Sequence, residues 1–389
     1  MRIAELFAGI GGVTTGFMQA GDFEPVFLND IDPIARHAFL QNYKELEDIY
    51  HFGSITQITG PELINLAGGE IDGLLGCPPC QGFSAVGKRR KRDERNKLIW
   101  EMRRLIISTR PKFFVLENVP ALLNSKYFFD FCDSLSSQYQ IASGVINAAE
   151  FGVPQLRRRA VVIGFSNSLG VTPTLPNAQY GGVGEVFDYL SGDYVQMGSR
   201  ESCAAFDLRP CAADAPKQLV RLKEAISDLP EATEDSSIQI EYRTLAKSTY
   251  QKKMRSNGAR FVKNHVSWKH STDLVKRLST TPMGECPPSH GKRYRNERYF
   301  SQAYARLHRY GLARTITTNF HNPGSGRYTH YSAHRALTIR EALRIQGFPD
   351  RFAFDTDIFQ SEAERMVGNA FPPPLARAVG AHIKKLLAA

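Results

Sequence analysis

The fold is decided by the first residues of the chain, RIAELFAGIGG at positions 2–12. The mainly apolar segment 2–7 predicts the first strand, and the glycines that follow predict a tight turn into a helix that extends through residue 20. A second strand, VFL at 26–28, ends in Asn29 and Asp30. Short strands that alternate with helices are typical of a parallel sheet with crossover helices, so we expect an α/β protein.

The same alternation continues through the first third of the chain. A helix is predicted over 34–43, because Asp32 can cap its start and Pro33 fits the first turn. The apolar spacing of 98–106 indicates another helix, which should stop before the proline at 111. Further strands are predicted at 71–75, 113–116 and 160–165.

The composition and the periodicity of the sequence change after about residue 166. Glycine, proline, serine and tyrosine dominate there, with little helical periodicity until 336–345, and a last helical pattern covers 362–387. We therefore predict a first domain at 1–168, a smaller loop-rich domain at 169–354, and a C-terminal segment at 355–389 that returns to the first domain.

Composition restricts the functional class. The 389 residues are 42% hydrophobic, which is enough for at least one sizeable core, and they carry a formal net charge of +10. This basic balance favours a polyanionic partner such as nucleic acid. The six cysteines are irregularly spaced and no leader or long apolar segment is visible, so we expect a reduced cytoplasmic protein that does not enter a membrane.

A thiol-bearing turn, GCPPCQGF at 76–83, follows the predicted strand at 71–75. Three interpretations of Cys80 stay open here: a small buried hydrophobe, a redox or zinc-binding pair with Cys77, and a nucleophile. A redox pair normally opens a helix, and a zinc site needs a second pair of ligands at metal spacing, which the chain does not offer. The basic run KRRKR at 88–92 would favour the thiolate that a nucleophile requires.

The glycine turn and Asp30 together suggest a nucleoside site. The turn lacks the complete G-x-G-x-x-G spacing, so alone it is a weak signal. Asp30 stands at the end of the second strand, where a carboxylate can accept hydrogen bonds from both hydroxyls of a ribose. We therefore expect a cofactor that carries a nucleoside.

Two further polar groups are predicted near the functional edge of the sheet. Glu117 directly follows the strand at 113–116, and a carboxyl group in a partly desolvated pocket can donate a proton. In an extended segment alternate residues share a face, so Gln155, Arg157 and Arg159 are predicted to point together.

Six ordered blocks make the chain resemble a DNA cytosine-5 methyltransferase. The blocks are FAGIGG (7–12), PPCQ (78–81), ENV (117–119), QxRxR (155–159), LTxxEA with QGFP (337–349) and GNA (368–370). They extend from residue 3 to about 380, except for most of 166–310. The resemblance implies a Rossmann-like sheet that binds S-adenosylmethionine, and a second domain for target recognition.

The resemblance also implies a covalent mechanism on double-stranded DNA. Cys80 would add to C6 of a flipped cytosine while Glu117 protonates or hydrogen-bonds N3, so that C5 can take the methyl group. Arg157 and Arg159 would hold the base carbonyl and neighbouring phosphates, and the basic loop 82–96 would close over the base. The substrate contacts implied in addition are Gln81, Ser84 and Gln155.

For the cofactor, the family pattern carries over to ten positions of this sequence. They are Phe7, Gly9, Gly11, Gly12, Asp30, Ile31, Ile55, Leu98, Asn369 and Ala370. Asp30 would hold the ribose and Ile31 would contact the adenine. Ser54 stands where relatives usually have an aspartate that accepts from the adenine amino group, so this predicted contact lacks the charge.

The residues that recognise the target DNA are the hardest to predict from the sequence. The segment RTITTNFH at 314–321 resembles one that leads to base contacts, which makes Thr317, Asn319 and His321 candidates. We expect no metal, because the cysteines and histidines of the second domain are irregularly spaced. We expect a monomeric bacterial or phage modification enzyme, associated with the nucleoid and with a cognate restriction or defence system.

Two alternatives stay open beside a DNA methyltransferase. A tRNA cytosine methyltransferase of the same superfamily would have a short recognition region with a Cys-Phe-Thr tripeptide, which this chain lacks. A catalytically silent DNA-binding relative would be expected to have lost the thiol, the acid or the glycine turn, and all three are present.

Overall fold

The computed structural model describes residues 1–79, 97–238, 240–255, 260–287 and 302–389. The chain divides into two compact units. Unit 1 comprises Met1–Asn147, Arg158–Asn177 and Phe371–Ala389, and unit 2 comprises Ala148–Arg157 and Ala178–Ala370. Unit 2 contains most of the region that was predicted as the loop-rich second domain.

The elements are numbered along the chain. The strands are β1 Arg2–Leu6, β2 Glu24–Asp30, β3 Tyr50–Phe52, β4 Gly73–Gly76, β5 Phe113–Asn118, β6 Tyr139–Asn147, β7 Gln155–Leu156, β8 Arg158–Ser166, β9 Tyr180–Val183, β10 Glu185–Asp188, β11 Asp193–Gln196, β12 Lys217–Gln218, β13 Ile240–Glu241, β14 Phe261–Val262 and β15 Ala313–Arg314. The helices are α1 Gly12–Ala20, α2 Pro33–Asn42, α3 Gly60–Leu66, α4 Leu98–Thr109, α5 Lys126–Leu135, α6 Arg200–Ala205, α7 Leu222–Ile226, α8 Thr249–Met254, α9 Thr272–Ser279, α10 Ile339–Gln346, α11 Gln360–Asn369 and α12 Pro373–Leu387.

The limits of the units differ from the predicted boundaries after residues 168 and 354. The segment 148–157 belongs to unit 2, and the chain returns to unit 1 only at Phe371. The reason for the later return is that α11 packs against α10, which keeps the helix at 360–369 in unit 2.

Unit 1 is built on a seven-stranded sheet with the order β3-β2-β1-β4-β5-β8-β6. The strands from β3 to β5 are parallel, whereas β8 pairs antiparallel with both β5 and β6. All of β4 and most of β5 are buried, as expected for strands that helices cover on both faces. The predicted Rossmann-like α/β fold is confirmed, and the carboxyl ends of β1, β2, β4 and β5 lie at one edge.

Local signals explain where the helices of unit 1 begin and end. The Asp32 side chain accepts hydrogen bonds from the backbone N–H groups of Ile34 and Ala35, so α2 starts at the predicted cap. A Cβ at Gly16 of α1 would collide with Ala376 of α12, which shows how closely these two helices pack. The C-terminal helix thereby completes the unit that the first strand begins.

Unit 2 contains short strand pairs instead of one large sheet: β9 with β12, β10 with β11, β13 with β14, and β7 with β15. Its core includes an apolar cluster around Val186, Phe206 and Leu312. Arg344 of α10 is also buried and pairs with Asp228 at 2.7 Å and with Asp350 at 2.6 Å. Over the described ranges of both units, no helix is long and apolar enough to cross a bilayer.

Candidate active site

The turn after β1 is built from left-handed backbone. Phe7, Gly9 and Gly11 have φ angles of 60°, 54° and 82°. This conformation is unfavourable for a residue with a Cβ, so Phe7 is a strained position of the kind that occurs at functional sites. A Cβ on Gly12 would collide with the carbonyl oxygen of Phe371, whereas a Cβ on Gly9 would meet no atom of the described residues within 4 Å. The turn is therefore packed tightly at one end and open beside Gly9.

The structure brings Asp30 to this turn. One carboxylate oxygen of Asp30 accepts a hydrogen bond from the Gly9 N–H at 2.7 Å, and the other accepts from the Asp32 N–H at 2.9 Å. Burial raises the pKa of the Asp30 carboxyl above its ordinary value, while these backbone hydrogen bonds act in the opposite direction. A carboxylate fixed at the end of β2, beside an open glycine turn, has the chemistry that binds a ribose diol.

The remaining predicted cofactor residues of unit 1 differ in accessibility. Ile31 is 65% exposed. The Ser54 hydroxyl interacts with the Thr56 hydroxyl at 2.8 Å and accepts from the Thr56 N–H at 3.4 Å. Ile55 lies in the core, and Leu98 begins α4 and packs against that core. Ile31 is therefore the accessible apolar side chain of this set.

Glu117 and Arg159 form an ion pair at the end of β5. The Arg159 Nε lies 2.8 Å from the Glu117 Oε1, and the two side chains are only 14% and 12% exposed. The antiparallel ladder between β5 and β8 creates this contact, because Glu117 is opposite Val161 and Arg159 lies two residues away on the same face. The structure thus brings together two of the predicted catalytic residues.

The chain that leads toward Cys80 lies beside this pair. Gly76, at the end of β4, is opposite Leu116, and Asn118 donates a side-chain hydrogen bond to the Pro78 carbonyl at 3.0 Å. Burial, together with the negative charge of Glu117, raises the pKa of the Cys77 thiol well above its ordinary value. Cys77 therefore stays protonated at neutral pH, which does not suit a nucleophile. The predicted residues Cys80, Gln81 and Ser84 lie outside the described residues.

Arg157 has a different environment from the predicted one. It belongs to unit 2 and is buried, whereas Arg159 belongs to unit 1. Its guanidinium donates to three backbone carbonyls, those of Ile316 at 3.0 Å, Gly368 at 2.9 Å and Ala370 at 2.9 Å. These bonds fix the backbone of the GNA block from within unit 2.

Gln155 is likewise a buried structural residue. Its amide nitrogen donates to the Gln346 side chain at 3.0 Å, and its oxygen accepts from the Ile316 N–H at 2.8 Å. Gln155, Arg157 and Arg159 were predicted to point together, but Gln155 and Arg157 have partners in unit 2 whereas Arg159 pairs with Glu117 in unit 1. The physical reason is that the extended segment is interrupted between β7 and β8, so Gln155 and Arg157 take partners in unit 2.

The predicted cofactor residues Asn369 and Ala370 also belong to unit 2. Asn369 is exposed at the last position of α11, and Ala370 is buried directly after it. The residue before them is a glycine, Gly368, because a Cβ at that position would collide with the backbone of Thr317. This close approach holds the end of α11 against the predicted recognition segment.

The recognition candidates of unit 2 are held by their neighbours to different extents. The Thr317 hydroxyl lies 3.1 Å from the Tyr328 hydroxyl, and Asn319 is exposed. His321 is fixed by Glu364, which accepts from the His321 N–H at 2.6 Å and lies 2.7 Å from its Nδ1. Glu364 is buried, and sequence reasoning missed it because nothing local marks a carboxylate that pairs across the fold.

Comparisons with known proteins identify the family of the chain. The model of the family described as C-5 cytosine-specific DNA methylase matches residues 1–385. The chain is similar to the type II methyltransferase M.DdeI of Desulfomicrobium norvegicum, with 30% identity over 98% of this chain and 88% of that protein. It is also similar to M.XorII of Xanthomonas oryzae pv. oryzae, with 30% identity over 98% of this chain and 84% of that protein.

Solved structures share the fold. A protein described as a DNA modification methyltransferase encoded within an E. coli prophage has a TM-score of 0.74 and 22% identity, with complete coverage of both chains. The S. pombe Dnmt2 methyltransferase has a TM-score of 0.60 and 16% identity, with coverage of 100% of this chain and 98% of that one.

Proposed function

This chain belongs to the family of C-5 cytosine-specific DNA methylases, and from that membership we propose a specific reaction. It transfers the methyl group of S-adenosylmethionine to C5 of a cytosine within a defined site in double-stranded DNA. The type II relatives support a role in restriction and modification, with a cognate restriction enzyme as the functional partner.

The observation that carries this proposal is the Glu117–Arg159 pair at the carboxyl end of β5. Arg159 holds the Glu117 carboxyl in one orientation through a charge-assisted bond. In the proposed step the Glu117 carboxyl takes up a proton from water when the target base binds, and in that form it donates a hydrogen bond or the proton to N3 of the cytosine, which lowers the cost of adding a nucleophile to the ring. The Arg159 guanidinium, whose Nη1 also donates to the Arg158 carbonyl at 2.8 Å, would donate to the base carbonyl.

The nucleophile in the proposed reaction is Cys80. Its thiolate forms a bond to C6, the ring electrons move toward C5, and Glu117 stabilises the charge at N3. The donor would supply an electrophilic methyl group to C5 and leave as S-adenosylhomocysteine. A base, which we assign to water, then takes the C5 proton, the C6–S bond breaks, and the Cys80 thiolate leaves as the aromatic ring is restored. Because C6 is shielded in a duplex, the target base must be flipped out of the stack.

The residues of unit 1 fit an S-adenosyl donor. The Asp30 carboxylate is fixed for a ribose diol, the backbone is open beside Gly9, and Ile31 offers an apolar surface. These three residues would hold the nucleoside. Asn369 and Ala370 would contact the amino acid end, as the family pattern implies.

Arg157 and Gln155 receive a positioning role in this proposal instead of the predicted contact with DNA. Their polar groups bond to the backbone at 316 and 368–370 and to Gln346, so they shape the GNA block and the segment at 314–321. The proposed DNA contacts are Gln81, Ser84, Thr317, Asn319 and His321.

Mapping of 5-methylcytosine tests the function. The gene is expressed in a host that lacks cytosine methylation, beside a Cys80→Ala control, and the host DNA is sequenced for modified cytosines. We expect one short recurrent site to be methylated fully with the wild type and not at all with the control. Methylation of adenine, methylation of tRNA alone, or a methylated control would contradict the proposal.

A trapping experiment tests the covalent step separately. A duplex with 5-fluorocytosine at the mapped position cannot lose a proton from C5, so the sulfur bond should persist after methyl transfer. We expect a denaturation-resistant adduct of protein and DNA in the presence of the donor. Absence of the adduct while the duplex binds would rule out covalent attack.

A further inference from the structure

We infer that Phe52 binds the purine of the methyl donor together with Ile31, and that the site does not select for the 6-amino group of that purine. This inference rests on the proposed function, because it assumes an S-adenosyl donor on Asp30. It concerns residues of unit 1 only.

Phe52 is an exposed aromatic side chain on a rigid support. It is the last residue of β3 and is 56% exposed. The buried Asn29 side chain donates to the carbonyls of His51 at 2.8 Å and Gly53 at 3.0 Å, the two residues that flank Phe52. The backbone is therefore fixed on both sides of a large apolar group that faces water, which is the preorganisation expected of a ligand contact.

The register of the sheet places Phe52 next to the proposed ribose site. Asp30 and Phe52 are Cα partners across the parallel pair β2 and β3, and the Gly53 N–H donates to the Asp30 carbonyl at 3.1 Å. Neighbouring strands are about 4.8 Å apart, and partners in register extend to the same face of a sheet. A purine is bonded directly to its ribose, so a ribose on Asp30 brings the base within reach of Phe52.

Ile31 supplies the second apolar surface. It follows Asp30 in the chain and is 65% exposed. Isolated exposed apolar residues are common, but Ile31 and Phe52 are both neighbours of one fixed carboxylate, the first along the chain and the second across the strand pair. A flat aromatic base joined to a ribose on Asp30 is the occupant that would cover them, since stacking requires only its π-face.

Ser54 is the reason why we expect the site to accept either an amino or a keto group at the 6-position of the purine. Its hydroxyl caps the turn at Ile55–Gln57 by accepting from the Thr56 N–H, and it also contacts the Thr56 hydroxyl at 2.8 Å. A neutral hydroxyl can accept from an amino group or donate to a keto group, so it favours neither at the 6-position. Recognition would therefore come from stacking rather than from a polar contact with the 6-position.

Calorimetric binding of S-adenosylhomocysteine to the full-length protein tests the role of Phe52. We expect Phe52→Ala to weaken binding about tenfold or more, and Phe52→Tyr to stay within about threefold of the wild type. Phe129→Ala is the matched control, because Phe129 is also 56% exposed in unit 1 but lies on α5. In methyl transfer, Phe52→Ala should raise the KM for the donor with little change in kcat.

The outcomes separate this inference from the proposed function. Failure of the folded wild type to bind S-adenosylhomocysteine would contradict the proposed function itself. Equal binding by wild type and Phe52→Ala, with a normal unfolding transition, would overturn only the role of Phe52. S-inosylhomocysteine, which has a keto group at the 6-position, should bind within about threefold of the adenosine compound, and a loss beyond tenfold would overturn the claim about the purine edge.

Discussion

Glu117 and Arg159 function as one unit, because the two poorly hydrated side chains contact each other at 2.8 Å. We expect Glu117→Gln to reduce the single-turnover rate of methyl transfer by about 10²–10⁴-fold, since the proton donor is lost. Arg159→Ala should reduce it by a comparable factor, because Glu117 loses its fixed orientation. Arg158→Ala on the same strand is the control and should change the rate by no more than about twofold.

The double variant distinguishes a coupled pair from two independent contributions. Residues in direct contact are not additive, so the rate of Glu117→Gln with Arg159→Ala should be close to that of the worse single variant. A rate loss equal to the product of the two single losses would show that the residues act separately.

Glu5 gives a prediction on stability against pH. This residue is buried in β1, accepts from the Thr14 hydroxyl, and has a pKa that burial raises to about 8 from an ordinary value of 4.5. Between pH 4.5 and about pH 8 the Glu5 carboxyl is protonated in the folded protein and ionised in the unfolded chain. The contribution of Glu5 to the unfolding free energy is therefore fully present below pH 4.5 and is lost as the pH rises through about 8. A shift of this size corresponds to at most roughly 4–5 kcal/mol.

Denaturant unfolding at pH 5 and pH 9 measures the effect of Glu5. The wild type should lose a few kcal/mol of unfolding free energy between these pH values, and Glu5→Gln should lose much less, because glutamine stays neutral. Glu45→Gln, at an exposed position, should retain the pH dependence of the wild type. Equal slopes for Glu5→Gln and wild type would refute the assignment.

At the scale of elements, Arg157 connects β7 to the end of α11. We expect Arg157→Ala to lower the unfolding free energy by about 3–5 kcal/mol, since three buried carbonyls lose a donor. Thermal unfolding with limited proteolysis of the segment 314–321 would measure this loss. The exposed Arg351→Ala should have little effect, and an equally stable Arg157→Ala with weakened DNA binding would instead support the direct contact that the sequence suggested.

The elements that could be predicted from sequence are those fixed by local signals. The strand–glycine–helix start, the Asp32 cap and α4 depend on neighbours in the chain, and each was located correctly. The edge strands β3 and β6 were not predicted, because edge position weakens the burial pattern. The environments of Gln155 and Arg157 were misjudged, because a period-2 pattern cannot show where a strand breaks. Glu364 was missed, because its partner His321 lies far away in sequence.

At the scale of the whole molecule, the net charge of +10 gives a prediction on salt dependence. Each phosphate contact releases a counterion, so the affinity for DNA should fall at least tenfold between 50 and 200 mM salt. Fluorescence anisotropy with a labelled duplex would measure this. S-adenosylhomocysteine binding serves as the control and should vary little, and a flat salt response for DNA would contradict a phosphate-dominated interface.

The closure of unit 1 by α12 has a consequence for chain connectivity. The amino group of Met1 donates to the Asp22 carbonyl at 2.6 Å, and Lys384 pairs with the Asp22 carboxylate, so both chain ends meet at one surface turn. A short glycine linker could therefore fuse the termini, and new ends could be opened at the exposed hairpin tip around Gly192. Such a circular permutant would synthesise most of unit 2 first and then α12 and α1 within one short stretch of chain, so that these two helices could pair soon after they leave the ribosome.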